Sequence, residues 1–316
     1  MKLGYIGLGK MGLNMVERLL EKGHQVIAFD RNSGAMAEAR GSGAMTAPSI
    51  AGVVDALPQP RFIWIMVPYQ AVDAVLKELV PLLKDGDTVI DGGNSPYKES
   101  IRRYDELATK GVDFLDAGVS GGPAGARKGA CIMVGGKQEV FRRHERLFAD
   151  LSVENGYGYM GPAGAGHFVK MVHNGIEYGM MQALAEGFSV LKAAPFGLDL
   201  AKIADLYDHA SVIESRLVGW LKAAYERYGE ELRDVSGTVA QSGEGAWTVE
   251  AGRELGVPTQ VIEDALRFRL HSREIPTYTG QVLSALRNQF GGMTCAGSRT
   301  VHWRAYQRFA RPSERR

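Results

Sequence analysis

The N-terminal segment carries the pattern that most constrains the fold of this chain. Residues 3–7 form a short apolar run that predicts a strand, and helical spacing of leucine and valine follows through residue 20. Between the two lies a G-x-G-x-x-G turn, Gly7-Leu8-Gly9-Lys10-Met11-Gly12. A strand, a glycine-rich turn and a helix in this order are typical of the first βαβ unit of a dinucleotide-binding sheet. The segment therefore predicts a Rossmann-type fold.

The three glycines of this turn have different physical roles. Gly7 permits the tight turn, Gly9 lets the backbone approach a pyrophosphate, and Gly12 allows the helix to pack closely on the strand. The alternative is a tight turn without a ligand, which the strand, the helix and a following acid together disfavour. We therefore predict that the cofactor is bound by Gly7, Leu8, Gly9, Lys10, Met11 and Gly12.

An acidic residue ends the second predicted strand about 20 residues later, as the fingerprint requires. A carboxylate at Asp30 accepts hydrogen bonds from the ribose 2′-hydroxyl of NAD and repels the 2′-phosphate of NADP. Arg31 follows directly and has three interpretations: it favours NADP, lies across the adenine, or is a solvated turn residue. We expect the carboxylate to dominate, so NAD is the predicted cofactor and NADP binds more weakly.

Short apolar runs alternate with amphipathic helical patterns up to about residue 161, which implies βαβ units and a mostly parallel sheet. The predicted strands are 3–7, 26–30, 62–67, 88–91, 114–117, 131–134 and 157–160, with helices such as 71–83 and 98–110 between them. Beyond residue 161 only helices are predicted, at 164–193, 200–209, 213–228, 247–255, 261–272 and 278–288. We predict an α/β Rossmann-type N-terminal domain (1–162), an all-helical C-terminal domain for substrate and dimerisation (163–296) and a disordered basic tail (297–316).

Composition excludes several classes of protein. Lys and Arg number 37 and Asp and Glu 36, and this balance disfavours binding to nucleic acid or to a membrane surface. No apolar stretch approaches the roughly 20 residues of a membrane span. Cys131 and Cys295 are too few for a disulfide framework or a cysteine-based zinc site, so we expect a cytoplasmic protein. The sequence shows no cluster of metal ligands, and we expect no metal.

A polar cluster interrupts the long predicted helix that begins near residue 164. At about 100° per residue, one face carries Lys170, His173, Asn174, Glu177 and Tyr178. Apolar residues surround this face, so we expect the helix to be largely buried. The alternative is a solvent-exposed Lys–Glu pair, which would extend the polar face along the whole helix. Because buried ionisable groups are costly unless paired or functional, we predict a catalytic site with a lysine base of lowered pKa and a carboxylic acid.

Two small-residue loops follow predicted strands. Asn94 lies in the loop after residues 88–91, and Ser120, Gly121 and Gly122 lie in the loop after residues 114–117. Ligands bind at the carboxyl ends of strands in open α/β sheets, and Gly-Gly steps let N–H groups meet an anion or a hydroxyl. These side chains are therefore candidates for binding a polyol or a carboxylate, although the same residue types also make ordinary turns.

Together these segments resemble the decarboxylating 6-phosphogluconate dehydrogenases, and more closely their short bacterial form. The resemblance runs from Lys2 to about Gly292. Its most specific string is Lys170-Met-Val-His173-Asn174-Gly175-Ile176-Glu177-Tyr178-Gly179. Other matching strings are Asp91-Gly-Gly-Asn94, Val119-Ser120-Gly121-Gly122, Ser211-Val-Ile-Glu-Ser-Arg-Leu217 and Ala285-Leu-Arg287-Asn288-Gln289-Phe290-Gly291-Gly292.

The resemblance implies oxidative decarboxylation of 6-phosphogluconate to ribulose 5-phosphate, a step of the pentose phosphate pathway, with reduction of NAD. It implies that Lys170 takes the proton of the C3 hydroxyl and that Glu177 protonates C1 of the resulting enediol. The implied ligands of the sugar acid are Asn94, Ser120, Gly121, Gly122, His173 and Asn174, those of its phosphate are Tyr178, Arg269 and Arg287, and Val67 and Asn94 would also contact the cofactor. Arg287 would come from a neighbouring subunit of a homodimer or homotetramer, with no nucleic-acid or membrane partner.

The chain departs from the long form of this family at three places. Ser242 stands where the long form has a phosphate-binding lysine, Val67-Pro68-Tyr69 replaces a Val-Lys-Ala loop, and Met293 stands at the position of an active-site histidine. The main alternative function is that of a β-hydroxyacid dehydrogenase acting on 3-hydroxyisobutyrate or tartronate semialdehyde, a family that typically reads Lys-x-x-Asn-Asn at the catalytic lysine. A non-catalytic dinucleotide-sensing protein on the same fold is a further alternative.

Overall fold

A computed structural model of the protein describes residues 1–291. The chain divides into two compact units, and the first comprises Met1–Gly187 and Ala240–His271. The second comprises Phe188–Val239 and residues 272–291. The boundary between the units at residue 187 falls within the helix Ala165–Ala193. The sequence instead predicts a domain boundary after residue 162, between the sheet and the helices, and that boundary stays a prediction. The predicted tail 297–316 and Met293 lie outside the described residues.

The first unit is built on an eight-stranded sheet, as the predicted fold class requires. Its strands are β1 (Lys2–Ile6), β2 (Gln25–Phe29), β3 (Met45–Thr46), β4 (Phe62–Ile65), β5 (Thr88–Asp91), β6 (Asp113–Ser120), β7 (Ala130–Gly136) and β8 (Ser152–Gly161). The spatial order is β3-β2-β1-β4-β5-β6-β7-β8, and every neighbouring pair is parallel except β6 and β7. The sequence missed β3 because two residues are too short a run to show a strand period.

Helices occupy most of the remaining described chain. They are α1 (Lys10–Glu21), α2 (Ser33–Gly41), α3 (Ile50–Asp55), α4 (Tyr69–Leu79), α5 (Tyr97–Ala108), α6 (Gly122–Lys128), α7 (Gln138–Arg143), α8 (Glu145–Leu151), α9 (Ala165–Ala193), α10 (Leu200–Tyr207), α11 (Arg216–Tyr228), α12 (Glu244–Glu254), α13 (Gln260–His271) and α14 (Tyr278–Gly291). No strand follows β8 within residues 1–291, as predicted. Within the same residues no helix combines the length and the apolarity needed to cross a bilayer.

Both faces of the sheet are buried, and adjacent residues of one strand face opposite sides. Ile63 and Trp64 of β4 are both fully buried, yet they belong to different hydrophobic clusters, as do Val89 and Ile90 of β5. Strands covered on both faces lack the alternation of polar and apolar residues seen in half-exposed strands. This explains why the strand segments of the sequence are almost continuously apolar.

The strand order reverses at β1 and so creates the ligand crevice of this fold. The chain passes outward from β1 to β2 and β3, then returns to place β4 on the other side of β1. Connections that leave β1 and β4 in opposite directions open a gap at their carboxyl ends, which is where open α/β sheets bind ligands. The glycine-rich turn begins at this gap with Gly7.

The second unit contains α10, α11, α14 and the end of α9. In this unit α14 packs against the segment that follows α11. A Cβ on Gly280 would lie 2.0 Å from the carbonyl oxygen of Gly237, so only glycine permits this approach. Gln281 donates its amide hydrogens to the carbonyl oxygens of Leu232 at 3.0 Å and Val235 at 3.1 Å. These contacts fix the start of the helix that carries Arg287.

A buried ion pair in the first unit anchors the loop after β5. Arg103 of α5 and Asp91 at the end of β5 are 1% and 0% exposed. The Arg103 guanidinium donates to Asp91 Oδ2 at 3.1 Å, to Ser95 Oγ at 3.0 Å and, through Nε, to Asp73 Oδ1 at 2.8 Å. Because both Asp91 and Ser95 are held, the residues between them, including Asn94, have a fixed path.

Replacing Arg103 tests this anchor. Arg103→Met should lower the free energy of unfolding by about 3–5 kcal/mol, since it leaves the buried Asp91 carboxylate without its cation. The matched control is Arg102→Met on the same helix, where a half-exposed guanidinium pairs only with exposed carboxylates and the loss should be about 1 kcal/mol or less. Urea unfolding followed by circular dichroism measures both changes, and equal midpoints for the two variants would contradict the anchoring role of Arg103.

Candidate active site

The glycine-rich turn leaves an open, uncapped helix end. Gly7 has φ of 103°, and a Cβ there would lie 2.3 Å from the carbonyl oxygen of Met66. A Cβ on Gly12 would lie 2.1 Å from the carbonyl oxygen of Gly7. By contrast, a Cβ on Gly9 would meet no atom within 4 Å, and no side chain caps α1 at this residue. The turn therefore presents backbone N–H groups to open space at the positive end of a helix, which fits the pyrophosphate of a dinucleotide.

Asp30 lies beside this turn, at the end of β2. Its Oδ2 accepts a hydrogen bond from the backbone N–H of Leu8 at 2.6 Å, and its Oδ1 accepts one from Asn32 at 2.7 Å. Each carboxylate oxygen keeps a further lone pair, so the group can also accept from a ribose hydroxyl. Arg31 points elsewhere: its guanidinium lies 3.6 Å from Glu78, and both side chains are largely exposed. The carboxylate, rather than the guanidinium, is therefore the charged group next to the turn.

The loops that follow β4 and β5 lie against each other. A Cβ on Gly93 would lie 2.7 Å from the carbonyl oxygen of Val67, so the two backbones are in contact. This contact brings Val67 and Asn94, both predicted to bind the cofactor, to the same edge of the sheet. The Asn94 amide donates to Glu244 Oε1 at 2.8 Å.

A buried carboxylate on β6 holds the start of α9. Asp116 is 0% exposed, and its two oxygens accept hydrogen bonds from the backbone N–H groups of Gly164 at 2.7 Å and His167 at 2.8 Å. These N–H groups belong to the first turn of the helix, where no intrahelical acceptor exists. The carboxylate thus lies at the positive end of the helix dipole, an arrangement that stabilises the start of the helix.

Glycines let α9 lie directly on the sheet. A Cβ on Gly118 of β6 would lie 2.3 Å from the Cβ of Lys170, and a Cβ on Gly166 would lie 2.5 Å from the carbonyl oxygen of Asp116. No side chain can therefore be inserted between the strand and the helix at these points. Lys170 is only 6% exposed as a result.

This burial changes the acid–base behaviour of Lys170. Desolvation lowers its pKa from the ordinary 10.5, and the nearby carboxylates of Glu244 and Glu177 oppose the shift without cancelling it. The amine donates to Asn174 Oδ1 at 2.5 Å. A lysine with a lowered pKa can lose its proton and act as a general base.

The other polar residues of the predicted cluster surround this lysine. Asn174 Oδ1 also lies 3.0 Å from His173 Nδ1, and His173 Nε2 lies 3.2 Å from Ser120 Oγ. Glu177 Oε2 lies 4.0 Å from His173 Nδ1. Five predicted residues from two distant segments thus form one connected group.

Gly121 and Gly122 have a different local structure from the one predicted. The sequence predicts a loop there, but β6 continues to Ser120 and α6 begins at Gly122. Both glycines have positive φ, of 124° and 62°, so the chain turns sharply from strand into helix beside Ser120. The small residues mark that turn rather than an extended loop.

The predicted phosphate ligands divide between the two units. In the first unit the Arg269 guanidinium carbon lies 3.5 Å from the centre of the Tyr178 ring, and both side chains are buried. The buried Tyr178 hydroxyl has no hydrogen-bond partner within residues 1–291. A cation and an unused hydroxyl in one place fit an anionic group. Arg287 lies on α14 of the second unit, where its side chain is buried.

Glu244 was not predicted as a site residue. In the structure its side chain is 2% exposed and lies next to the cluster around Lys170. The available signal was an acid between Gly243 and Gly245 at the start of a helical pattern. The sequence also overestimated the burial of α9, since Ile176 and Met180 are 52% and 46% exposed in the single chain.

Within the described residues no group of three or more His, Cys, Asp and Glu side chains is arranged to hold a metal ion. The groups gathered around Lys170 are instead an amine, an imidazole, amides, hydroxyls and carboxylates, which bind and transfer protons.

Comparison with known proteins identifies the family of both parts of the chain. Residues 2–172 match the NAD-binding domain of 6-phosphogluconate dehydrogenase, and residues 166–285 match the C-terminal domain of 6-phosphogluconate dehydrogenase. The Bacillus subtilis protein YqeC, whose name gives 6-phosphogluconate dehydrogenase as a provisional assignment, is 48% identical over 92% of this chain and 98% of its own length.

Two further relatives are named for the same chemistry. An NAD(+)-dependent, decarboxylating 6-phosphogluconate dehydrogenase of Haloferax volcanii is 42% identical over 92% of this chain and 97% of its own length. The solved 6-phosphogluconate dehydrogenase of Plasmodium falciparum superposes with a TM-score of 0.76 at 29% identity, over 86% of this chain and 62% of that one. The chain is therefore similar in length to the first two relatives and shorter than the third.

Replacing Asp30 tests its predicted contact with the ribose. Asp30→Asn should weaken NAD binding by about tenfold, because one amide oxygen cannot accept all the hydrogen bonds that two carboxylate oxygens accept. It should also remove the repulsion of a 2′-phosphate, so the ratio of the NADP and NAD dissociation constants falls. Calorimetric titration with both cofactors measures the ratio, with the exposed Asp55→Asn as the control. An unchanged ratio in Asp30→Asn would show that this carboxylate does not select the cofactor.

Proposed function

The chain belongs to the 6-phosphogluconate dehydrogenase family, and on this premise we propose that it converts 6-phosphogluconate and NAD to ribulose 5-phosphate, CO2 and NADH in the cytoplasm. One observation carries the proposal: a buried lysine of lowered pKa lies hydrogen-bonded to Asn174 at the carboxyl edge of a dinucleotide-binding sheet. A base in this position removes a hydroxyl proton from a substrate next to a bound cofactor.

The glycine-rich turn and Asp30 fit the cofactor on the geometry described above. Gly9 leaves room for the pyrophosphate, the Asp30 carboxylate accepts from the ribose, and Val67 and Asn94 border the site at the neighbouring strands. When bound, NAD accepts a hydride from C3 of the substrate.

Lys170 performs the first proton transfer. Its neutral amine takes the proton of the C3 hydroxyl as the C3 hydrogen leaves with its electron pair, and a 3-keto acid results. Asn174 Oδ1 accepts from the same amine and so directs its remaining lone pair toward the substrate. The lysine is then protonated and lies beside the new carbonyl oxygen.

The protonated lysine promotes the loss of CO2. When the bond between C1 and C2 breaks, its electron pair moves toward C3 and negative charge develops on the C3 oxygen. Lys170 returns its proton to that oxygen, giving an enediol. His173, linked to Ser120 and Asn174, holds the polar groups of the sugar acid in place during this step.

Glu177 completes the reaction. It lies one helical turn from His173 on the same face of α9, with a carboxylate oxygen 4.0 Å from the imidazole. From this place it donates a proton to the carbon that carried the carboxyl group and so converts the enediol to the ketone ribulose 5-phosphate. Tyr178 and Arg269, with Arg287 from a neighbouring subunit, hold the phosphate.

The two alternatives have weaker support. A β-hydroxyacid dehydrogenase needs the lysine but has no step that requires an acid at Glu177 or a cation at Arg269 for a phosphate. A non-catalytic sensor would gain nothing from burying Lys170, since an unused buried amine only destabilises the fold. Activity with 6-phosphogluconate, measured as both NADH and CO2, distinguishes the proposed reaction from these two.

Substitutions on α9 separate the two proton-transfer roles. Lys170→Met should lower NADH formation by about 10²- to 10⁴-fold while NAD still binds, because the base is lost and the glycine-rich turn is intact. Glu177→Gln should retain more oxidation than Lys170→Met, because its step follows the loss of CO2. Lys192→Met and Glu186→Gln, which are also on α9, serve as controls. Full turnover by Glu177→Gln at the wild-type rate would contradict the acid role of Glu177.

A homodimer or homotetramer is part of the proposal. In the first unit Ile176, Met180 and Val261 are 52%, 46% and 69% exposed, and α9, which carries the first two, passes Val261 at Gly179, where a Cβ would lie 3.2 Å from it. In the second unit Phe196 is 77% exposed. Exposed apolar side chains on α9, on α13 and in the loop after α9 favour a partner subunit that covers them.

Mixing inactive subunits tests the assembly and the role of Arg287. If Arg287 reaches the phosphate of a neighbouring subunit, Lys170→Met and Arg287→Ala are each inactive, but their mixed dimer contains one site with both intact residues. Partial activity should therefore return when the two variants are unfolded and refolded together. A fully active monomer in light scattering, or no return of activity in mixtures shown to contain mixed dimers, would contradict the shared site.

A further inference from the structure

The buried residue Glu244 lies close to the catalytic lysine. It is the first residue of α12, which packs on α9 through glycines: a Cβ on Gly245 would lie 2.6 Å from the Tyr178 ring, and a Cβ on Gly175 would lie 2.6 Å from Thr248. The Thr248 hydroxyl lies 2.8 Å from the carbonyl oxygen of Met171. At this position the negative charge of Glu244 raises the pKa of Lys170 and so opposes the effect of desolvation. The charge of Glu244 has a larger effect on this pKa than the charge of Glu177.

The Glu244 carboxylate is only half satisfied. Its Oε1 accepts the hydrogen bond of Asn94, but its Oε2 has no hydrogen-bond partner within residues 1–291. The side chain is 2% exposed, so bulk water does not hydrate that oxygen freely. A buried carboxylate oxygen without a donor is costly, and proteins keep such a group where a ligand supplies the donor.

The amine of Lys170 does not supply the missing donor. The Lys170 amine is bound to Asn174, and in the proposed reaction it also serves the C3 hydroxyl. The carboxylate and phosphate ends of the substrate have no proton to donate at neutral pH, and they would be repelled by Glu244. The hydroxyl groups of the carbon chain remain as donors of the right kind.

We propose that Oε2 of Glu244 accepts a hydrogen bond from a substrate hydroxyl other than the one at C3 and thereby selects a polyhydroxy acid. The inference rests on the proposed function and adds a specificity-determining residue to it. A short β-hydroxy acid uses its one hydroxyl at Lys170 and leaves the Glu244 oxygen unpaired. A site that binds a hydroxyl with a buried polar group rejects an analogue that lacks it strongly.

The test combines Glu244→Gln with the 2-deoxy, 4-deoxy and 5-deoxy analogues of 6-phosphogluconate. Glutamine keeps the oxygen that accepts from Asn94 but replaces the free acceptor by an NH2 group. Dissociation constants are measured by calorimetry without NAD, so that no turnover occurs. Glu250→Gln, an exposed residue of the same helix, is the control, and thermal unfolding checks that each variant is folded.

Wild-type protein and the control should bind one of the three analogues about 10- to 150-fold more weakly than 6-phosphogluconate, as expected for a hydrogen bond to a charged group. In Glu244→Gln this difference should shrink by about fivefold or more, because the NH2 group can offer the hydroxyl oxygen only a neutral hydrogen bond in place of the one to a charged oxygen. If the ratio of the dissociation constants of each analogue and 6-phosphogluconate is the same in wild type and in Glu244→Gln, the role of Glu244 is overturned, and the proposed function is not affected. Failure of wild-type protein to bind or convert 6-phosphogluconate would overturn the proposed function as well.

Discussion

The close packing of α9 on β6 determines where Lys170 and the polar groups around it lie. Gly118 lets the backbone of the strand approach Lys170, and the Asp116 carboxylate binds the first N–H groups of the helix. Both residues belong to one strand, so the position and the direction of the helix are fixed by the same element. Ser120 follows on this strand and reaches His173 one helical turn beyond the lysine. The cluster is thus a consequence of how one helix is placed on one strand.

The same packing provides the chemistry. An amine held against a sheet loses hydration, and this loss disfavours its charged form. Two carboxylates nearby favour that charged form, so opposing effects act on the amine and their net result is a lowered pKa. A lysine that first takes and later returns a proton needs a pKa shifted in this direction. The two acids that raise the pKa of the lysine, Glu177 and Glu244, lie on α9 and α12. Glycines allow these two helices to pack in contact.

The sequence predicted the features that depend on local spacing. The glycine fingerprint, Asp30 and the polar face of α9 are recognisable because helix and strand periods place their residues in known relation to one another. Several short elements were not predicted, among them β3, which has two residues, and α6, which begins at a pair of glycines that resemble a loop. The contacts of Asp116 and Glu244 do not follow from local spacing, because their partners lie about 50 and 150 residues away in the chain. Only tertiary packing brings such pairs together, and it also leaves exposed the apolar residues of α9 that were expected to be buried.

Burial on the sheet makes Lys170 a base, and the ionisation of that one amine can be measured. Protein labelled with ¹³C at the lysine Cε can be titrated by NMR without substrate, and Lys170→Arg assigns the resonance. Lys170 should lose its proton with a midpoint below its ordinary pKa of 10.5, because desolvation outweighs the nearby carboxylates. A midpoint at or above 10.5 would show that burial does not make this lysine a base, since the amine would then remain charged where the reaction needs a base.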